Sequence, residues 1–415
     1  MTRSSTAQAI TANPPSLIDI TSADFKANPF PFYAALRQKQ PVCRVRIGQM
    51  EGWLLSRYDD VHAALKDPRL VKDVRHVENA AELSKRPWLP GFLRAMENNM
   101  LDQDDPNHAR LRGLVHRAFT PARIDTLQQQ IDALANRLLD RMAGQARIEL
   151  IRDFALPLPL SVICELLGVP EDDRLRFSRL AQALLLRPTA LNILRMMPSL
   201  WALIRYLRQL IARKKAQPQD DLLSALHQVE EAGERLSEDE QVAMALLLLI
   251  AGHETTVNLI ASGTLALLQH PDQLAWLRQH PEGMKTSVEE LLRYCSPVDT
   301  ATERYAAEDI KLHGTRIRRG ELVIGALSSA NRDPDKFSDP DALNLQRDPN
   351  RHLSFGYGSH YCLGASLARM EAQIAFKLLL ARFPNLRLAV PASTLRWRAT
   401  PVVRGLQSLP LQPGS

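Results

Sequence analysis

The stretch His352-Leu-Ser-Phe355-Gly356-Tyr-Gly358-Ser-His360-Tyr-Cys362-Leu-Gly364-Ala-Ser-Leu-Ala-Arg369 decides the fold of this chain of 415 residues. Gly356 and Gly358 precede a lone cysteine, and Gly364 opens a run that reads as helix. Glycines allow the positive backbone dihedrals of a tight turn and let a flat partner reach the main chain. The sulfur of Cys362 is thereby presented at a helix start, where unpaired N–H groups favour negative charge. A single free cysteine otherwise reads as a small core hydrophobe; here the flanking residues argue for more.

Upstream, Ser237-Glu-Asp-Glu240 is a capping box, with serine as N-cap and glutamate at the third helical position. The helix it opens runs to residue 268 before His270-Pro271 ends it, roughly 45 Å of chain that is apolar nearly all round and therefore predicted to be buried. Within it lies Ala251-Gly252-His253-Glu254-Thr255-Thr256. A carboxylate beside a hydroxyl is costly in a buried helix unless chemistry uses it. Gly252 lowers helix propensity by about 1 kcal/mol relative to alanine and leaves a dent. Thr255 can also bond a carbonyl one turn back and bend the helix, and the two roles are compatible.

Two further pairs have helical spacing. His108 and Arg112 are four apart and share a face suited to an anionic group, although a solvated helix face has the same pattern. Glu290 and Arg293 are three apart, in isolation a commonplace surface pair.

The order Phe-Gly-x-Gly-x-His-x-Cys-Leu-Gly, continued by Leu-Ala-Arg, resembles the haem-ligand loop of the cytochrome P450 family, and the segment 251–256 resembles its central-helix signature. The likeness runs from about residue 28 to the C-terminus. It implies a mainly α fold, a triangular helical prism with a long central helix and small β-sheets, one near the N-terminus. It implies haem b as cofactor with Cys362 as the metal ligand, whose thiolate favours oxygen activation over oxygen carriage. By position, His108, Arg112, Arg304 and His360 would hold the haem propionates, Ala251 and Gly252 would face the iron, and Phe355, Gly356 and Gly364 would lie against the porphyrin. Glu254 and Thr255 match the acid-alcohol pair that relays protons during oxygen activation. Glu290 and Arg293, with Arg347, match a structural triad that braces the cysteine loop. Leu343 and Asn344 depart from the family's usual aromatic and acid, which bears on local packing.

The resemblance further implies a pocket touched by Trp88, Leu247, Ile250, Val298 and Leu406, a flap at 71–100, a lid at 188–198 and a C-terminal hairpin tip at 404–407 aimed at the substrate. For the flap and lid, a solvated connector and ordinary helix packing are the plainer alternatives. Residues 1–15 read as a frayed tail before one catalytic domain over 16–415, with β segments in 42–56 and 310–326.

Four cysteines far apart argue against a zinc knuckle or a disulfide framework and for a reducing compartment. No signal peptide or apolar anchor opens the sequence, so the expectation is a soluble, cytoplasmic, bacterial-type protein that works as a monomer. The net charge of +6 is scattered and lacks the basic tracts of a nucleic-acid binder; Arg110, Arg112, Arg117 and Arg351 fit a docking face for an acidic redox protein instead. The expected activity is a monooxygenase fed from NAD(P)H through a reductase and a ferredoxin or flavodoxin, hydroxylating or epoxidising a terpenoid, steroid, fatty acid or macrolide-like molecule. The alternatives are a peroxygenase driven by hydrogen peroxide, whose family relatives carry Arg-Pro in place of the acid-alcohol pair, and a non-catalytic haem-binding protein, which needs no relay.

Overall fold

In the computed structural model, which describes residues 17–77, 99–183, 190–230 and 233–414, the capping box forms as the sequence predicts. The Ser237 hydroxyl accepts from the Glu240 N–H, and the Glu240 carboxylate accepts from the Ser237 N–H at 2.8 Å. The central helix that follows spans Glu238–Gln269, about 48 Å at 1.5 Å per residue. It stops where Pro271 begins the next helix, Pro271–Gln279. Among the described helices it is the one long and apolar enough to cross a bilayer, yet most of that stretch is buried in the protein core. Helices Pro157–Leu166, Ala190–Ala216, Met284–Cys295 and Ala365–Arg382 pack around it.

Four apolar clusters share the interior. The largest joins the central helix to Pro121–Met142, Pro157–Leu166 and Ala190–Ala216, while a second locks its C-terminal half to Met284–Cys295 and Ala365–Arg382. The helix is thus braced by neighbours along its length.

Among the described residues, ten short strands form three sheets. β1 (Val42–Ile47) and β2 (Met50–Leu55) make the expected hairpin, with Val42 opposite Leu55 and Ile47 opposite Met50. β3 is Leu70–Val71, β4 Ile148–Glu149, β5 Arg304–Ala306, β6 Ile310–Leu312, β7 Thr315–Ile317, β8 Leu322–Gly325, β9 Arg387–Leu388 and β10 Pro410–Gln412. The main sheet has the order β1-β2-β8-β5-β3, the second β4-β10-β9, and β6-β7 stands apart. This corrects the expectation of one local sheet over 310–326. β8 is a run of four buried residues and pairs in parallel with β2, Trp53 opposite Val323, while β6 and β7 are a separate hairpin. A strand apolar on both faces belongs inside a sheet, not at the edge of a two-stranded ribbon.

The expected tail 1–15, Trp88, most of the flap 71–100 and the start of the lid 188–198 fall outside the described residues. From Ala190 onward the lid segment belongs to the helix Ala190–Ala216, which carries Pro198 within it.

Candidate active site

The cysteine loop is built by its own hydrogen bonds. Gly356 N–H donates to Leu353 O at 2.8 Å, Tyr361 N–H to Gly358 O at 3.0 Å and Cys362 N–H to Phe355 O at 2.9 Å. Gly358 has φ of +76°, and a Cβ there would meet the Leu65 carbonyl oxygen at 2.9 Å, so glycine is demanded twice over. Gly364 differs: its φ is −86° and nothing lies within 4 Å of where a Cβ would stand. The fold does not need glycine at 364, but a flat group laid over that point would.

Cys362 lines a cavity of about 970 Å³. Leu247, Ile250, Ala251 and Val298 line it too, as expected, and Glu254 and Thr255 face it from the central helix. Burial pushes the Cys362 thiol up, against the opposing pull of the Gly364 N–H, Arg112 and Arg369. The helix-start N–H anticipated from the turn is in place and works against that desolvation.

The four side chains expected to hold the acidic arms of the cofactor, His108, Arg112, Arg304 and His360, line the same cavity, as do His253 and Arg398. The His108 and His360 rings stand 4.0 Å apart. His108 Nδ1 is 3.2 Å from Asp105, and its buried Nε2 has no partner. Arg304 bonds the carbonyls of Leu65 at 3.1 Å and Leu70 at 3.4 Å, leaving its buried Nε unpartnered. Arg112 donates to Tyr361 O at 2.7 Å, tying the helix Asn107–Ala118 to the cysteine loop. Burial and the charges of His108, Lys72, Arg304 and Arg112 drive His360 down to about 2, so it is neutral. The acids lining the cavity are Glu254 and Glu371. A cluster of buried donors with orphaned N–H atoms, next to a thiol and an open slot over Gly364, fits a flat cofactor with acidic arms and a soft-ligated iron.

Gly252 lines the cavity beside Ile163, and a Cβ there would stand 2.6 Å from Ile163 Cδ1. Its glycine serves helix packing. Thr255 Oγ donates to the Ala251 carbonyl at 3.0 Å, the backbone bond anticipated from its position. Glu254 forms an ion pair at 3.3 Å with Arg398, whose other branch donates to Asn258 Oδ1 at 2.7 Å. Burial pushes the Glu254 carboxyl up, and Arg398 pulls against it.

Leu406 is a correction. It is buried in the main core and does not line the cavity; the hairpin contributes Arg398 to Val403 and Gln407 instead. Trp397 pairs with Leu406 across the hairpin, so the turn lies between them and not at 404–407. Arg110 is also less available for docking than expected, because it pairs with Glu234 at 3.3 Å and with Glu240.

The triad is assembled. Glu290 and Arg293, both fully buried, share two bonds of 2.8 Å, and Arg347 Nε reaches Glu290 at 3.1 Å. Arg293 also donates to the carbonyls of Asn331, Pro340 and Ala342. The Asn344 departure is harmless here, since its backbone N–H donates to Glu290 at 2.9 Å and Leu343 is buried in the core.

Sequence reasoning missed three features. Glu289 bonds Arg369 at 2.7 Å and His352 at 3.1 Å, a second brace on the loop. Lys26 and Asp299 form a fully buried ion pair at 2.5 Å beneath the Val298 segment. Glu371 is a buried acid against Thr256, pushed by desolvation up to about 8. Only Glu289 left a trace in the sequence, as the neighbour of Glu290.

The geometry joins a cysteine loop, a set of buried donors and an acid-alcohol pair around one cavity, and the comparisons give the family. The family model for cytochrome P450 matches residues 14–388. The chain belongs to the cytochrome P450 family and is a P450 monooxygenase. It is 43% identical over 392 residues to the polyketide biosynthesis cytochrome P450 PksS of Bacillus subtilis, covering 94% of this chain and 96% of that one. The PksS structure superposes with a TM-score of 0.90 at 42% identity, covering 96% of this chain and all of the other. The cytochrome P450 monooxygenase PikC of Streptomyces venezuelae is 43% identical over 412 residues, 98% of this chain and 96% of that protein. The myxobacterial cytochrome P450 CYP267B1, solved with myristic acid, gives a TM-score of 0.88 at 41% identity, covering 95% and 99%.

Proposed function

We propose that this monooxygenase holds its haem through Cys362 and oxidises an apolar molecule of polyketide or long-acyl character. The observation that carries the reading is one cavity bounded by the Cys362 loop on one side and by Glu254 and Thr255 on the other. When bound, the haem supplies activation of dioxygen with electrons derived from NAD(P)H. The Cys362 sulfur would be the ligand, its backbone fixed by the Cys362 N–H donating to the Phe355 carbonyl and by the glycine turn. His108, Arg112, Arg304 and His360 would hold the cofactor's acidic arms through their N–H groups.

Leu247, Ile250 and Val298 line the substrate space and exclude water from it. Thr255 presents a hydroxyl whose proton is held by the Ala251 carbonyl, and Glu254 next to it takes up a proton from solvent and passes it on. A polyketide or acyl substrate is supported by the apolar lining and by the relatives named for polyketide biosynthesis or solved with myristic acid. Electrons would arrive through a ferredoxin or flavodoxin and its reductase, docking on the basic face with Arg112, Arg117 and Arg351, in the cytoplasm.

Two measurements test this. The ferrous-carbonyl spectrum is expected to show the long-wavelength Soret band of thiolate ligation and to lose it in Cys362→His; a normal-wavelength band in the parent protein would refute Cys362 as ligand. Thr255→Ala is expected to divert NAD(P)H oxidation from product to peroxide, and full coupling in that variant would remove Thr255 from the relay.

A further inference from the structure

We infer that Arg398 is a positioning residue for proton delivery, clamping Glu254 from the C-terminal hairpin. The inference deepens the proposed relay and rests on Glu254 being its acid. Arg398 comes from a segment far from the central helix in sequence, yet its guanidinium bridges two positions one helical turn apart, Glu254 at 3.3 Å and Asn258 at 2.7 Å. The hairpin is ordered by Arg398 N–H donating to Gly405 O at 2.9 Å and Gln407 N–H to Arg396 O at 2.8 Å.

A second observation shows that the approach is built. A Cβ on Gly405 would stand 2.0 Å from Asn258 Oδ1 and 2.5 Å from its Cγ. The hairpin therefore lies flush on the helix only because position 405 has no side chain. That close approach is what lets a guanidinium span Glu254 and Asn258 together.

Among the described residues, Arg398 is the charge that bears on Glu254. His253 beside it is kept uncharged by burial and bonded to the Leu249 carbonyl. Glu371 of the cysteine helix lies against Thr256, and Glu165 of Pro157–Leu166 is paired with Arg174. With burial favouring the protonated acid, Arg398 supplies the opposing field that keeps Glu254 ionisable and fixes where its carboxylate points. The residues after it, through Val403, line the substrate cavity, so one hairpin serves both the acid and the substrate wall.

The test is an infrared titration of the holoenzyme, following the protonated-carboxyl band that Glu254→Gln removes. Losing a cation at ion-pair distance raises a carboxyl midpoint by about one unit or more, so Arg398→Gln is expected to shift that midpoint up by about one unit and Arg398→Lys to restore it. Gly405→Ala, which lifts the hairpin without removing a charge, is expected to shift it the same way. In turnover, the pH-dependent limb of coupling that Glu254→Gln abolishes should move with the midpoint. An unmoved midpoint in Arg398→Gln, or failure of Arg398→Lys to restore it, overturns the assignment. Intact coupling in Glu254→Gln would instead overturn the relay reading, with the infrared midpoint still deciding whether Arg398 controls this carboxyl.

Discussion

Glu290 offers the strongest single perturbation of the frame. Its two oxygens accept from Arg293 at 2.8 Å each, from Arg347 at 3.1 Å, from the Asn344 N–H at 2.9 Å and from Asn350 at 3.0 Å. Glu290 and Arg293 are fully buried and Arg347 nearly so. Glu290→Ala therefore leaves two guanidiniums facing each other without an anion, the situation in which breaking a buried pair costs about 3–5 kcal/mol. Arg293 keeps its three carbonyl partners, which places the loss toward the lower figure. At roughly 2 °C per kcal/mol for a large domain, the expected drop in the thermal midpoint of haem release is about 6–8 °C. Glu290→Gln preserves shape and some hydrogen bonding, so it should fall between parent and alanine. The assay is the Soret absorbance on heating, paired with far-ultraviolet circular dichroism to separate haem release from unfolding. A midpoint within 1 °C, allowing about 0.5 kcal/mol, in Glu290→Ala would refute the claim that this carboxylate holds the cysteine loop's support together.

Glu289, the two glycines of the cysteine loop and the pair Leu406 and Val298 give further expected outcomes. Burial alone would raise the Glu289 carboxyl, but hydrogen bonds from Arg369 and His352 outweigh it and hold it at about 2. A carboxyl depressed on folding adds stability that is present above its unfolded value near 4.5 and is lost as pH falls toward 2. Glu289→Gln should therefore be less stable than the parent at neutral pH and converge with it in acid, as read from denaturant midpoints across that range. Gly358→Ala should lower the stability of the apoprotein, through its positive φ and the contact with Leu65 O, by about 1–3 kcal/mol. Gly364→Ala, with open space at its Cβ, should leave the apoprotein unchanged and lower haem incorporation; the reverse pattern would misplace the cofactor. Leu406→Ala should cost about 2–5 kcal/mol as a core cavity and leave the ligand-induced spin shift intact, whereas Val298→Phe should weaken ligand binding at near-parent stability.

What the sequence made legible was local. The capping box at Ser237, the apolar central helix, the strand pair Val42–Ile47 and Met50–Leu55 and the glycine turn before Cys362 are each written in neighbouring residues, and each forms. The triad was legible through helical spacing and resemblance, but its burial was not, because Glu290 and Arg293 show the same spacing as any solvated pair. The true partner of β8 was hidden because four apolar residues carry no mark of which sheet they enter. The burial that pushes the Cys362 thiol up was not legible from the turn, since desolvation depends on everything that closes over the sulfur. The contact that fills the space beside Gly252 was not legible, because Ile163 comes from another helix.

The hairpin at the C-terminus shows why substrate and relay features are the least legible. Its residues have no period and no motif, yet they touch the central helix through Arg398 and the N-terminal helices through Arg404, which donates to the Lys26 carbonyl at 2.8 Å. Lys26 in turn pairs with Asp299, beside Val298 in the cavity wall, and donates to the Pro401 carbonyl at 3.4 Å. Asp299 also accepts from Tyr33 and Ser328. The wall that meets the substrate is thus suspended from groups hundreds of positions apart, all buried and all paired. Burying Lys26 and Asp299 without each other would cost several kcal/mol, so the two ends of the chain must meet before this wall exists. The cofactor side is specified by local motifs and the substrate side by long-range pairing, which lets the residues exposed on that wall, Pro401 to Val403, vary without touching the polar groups that hold it in place.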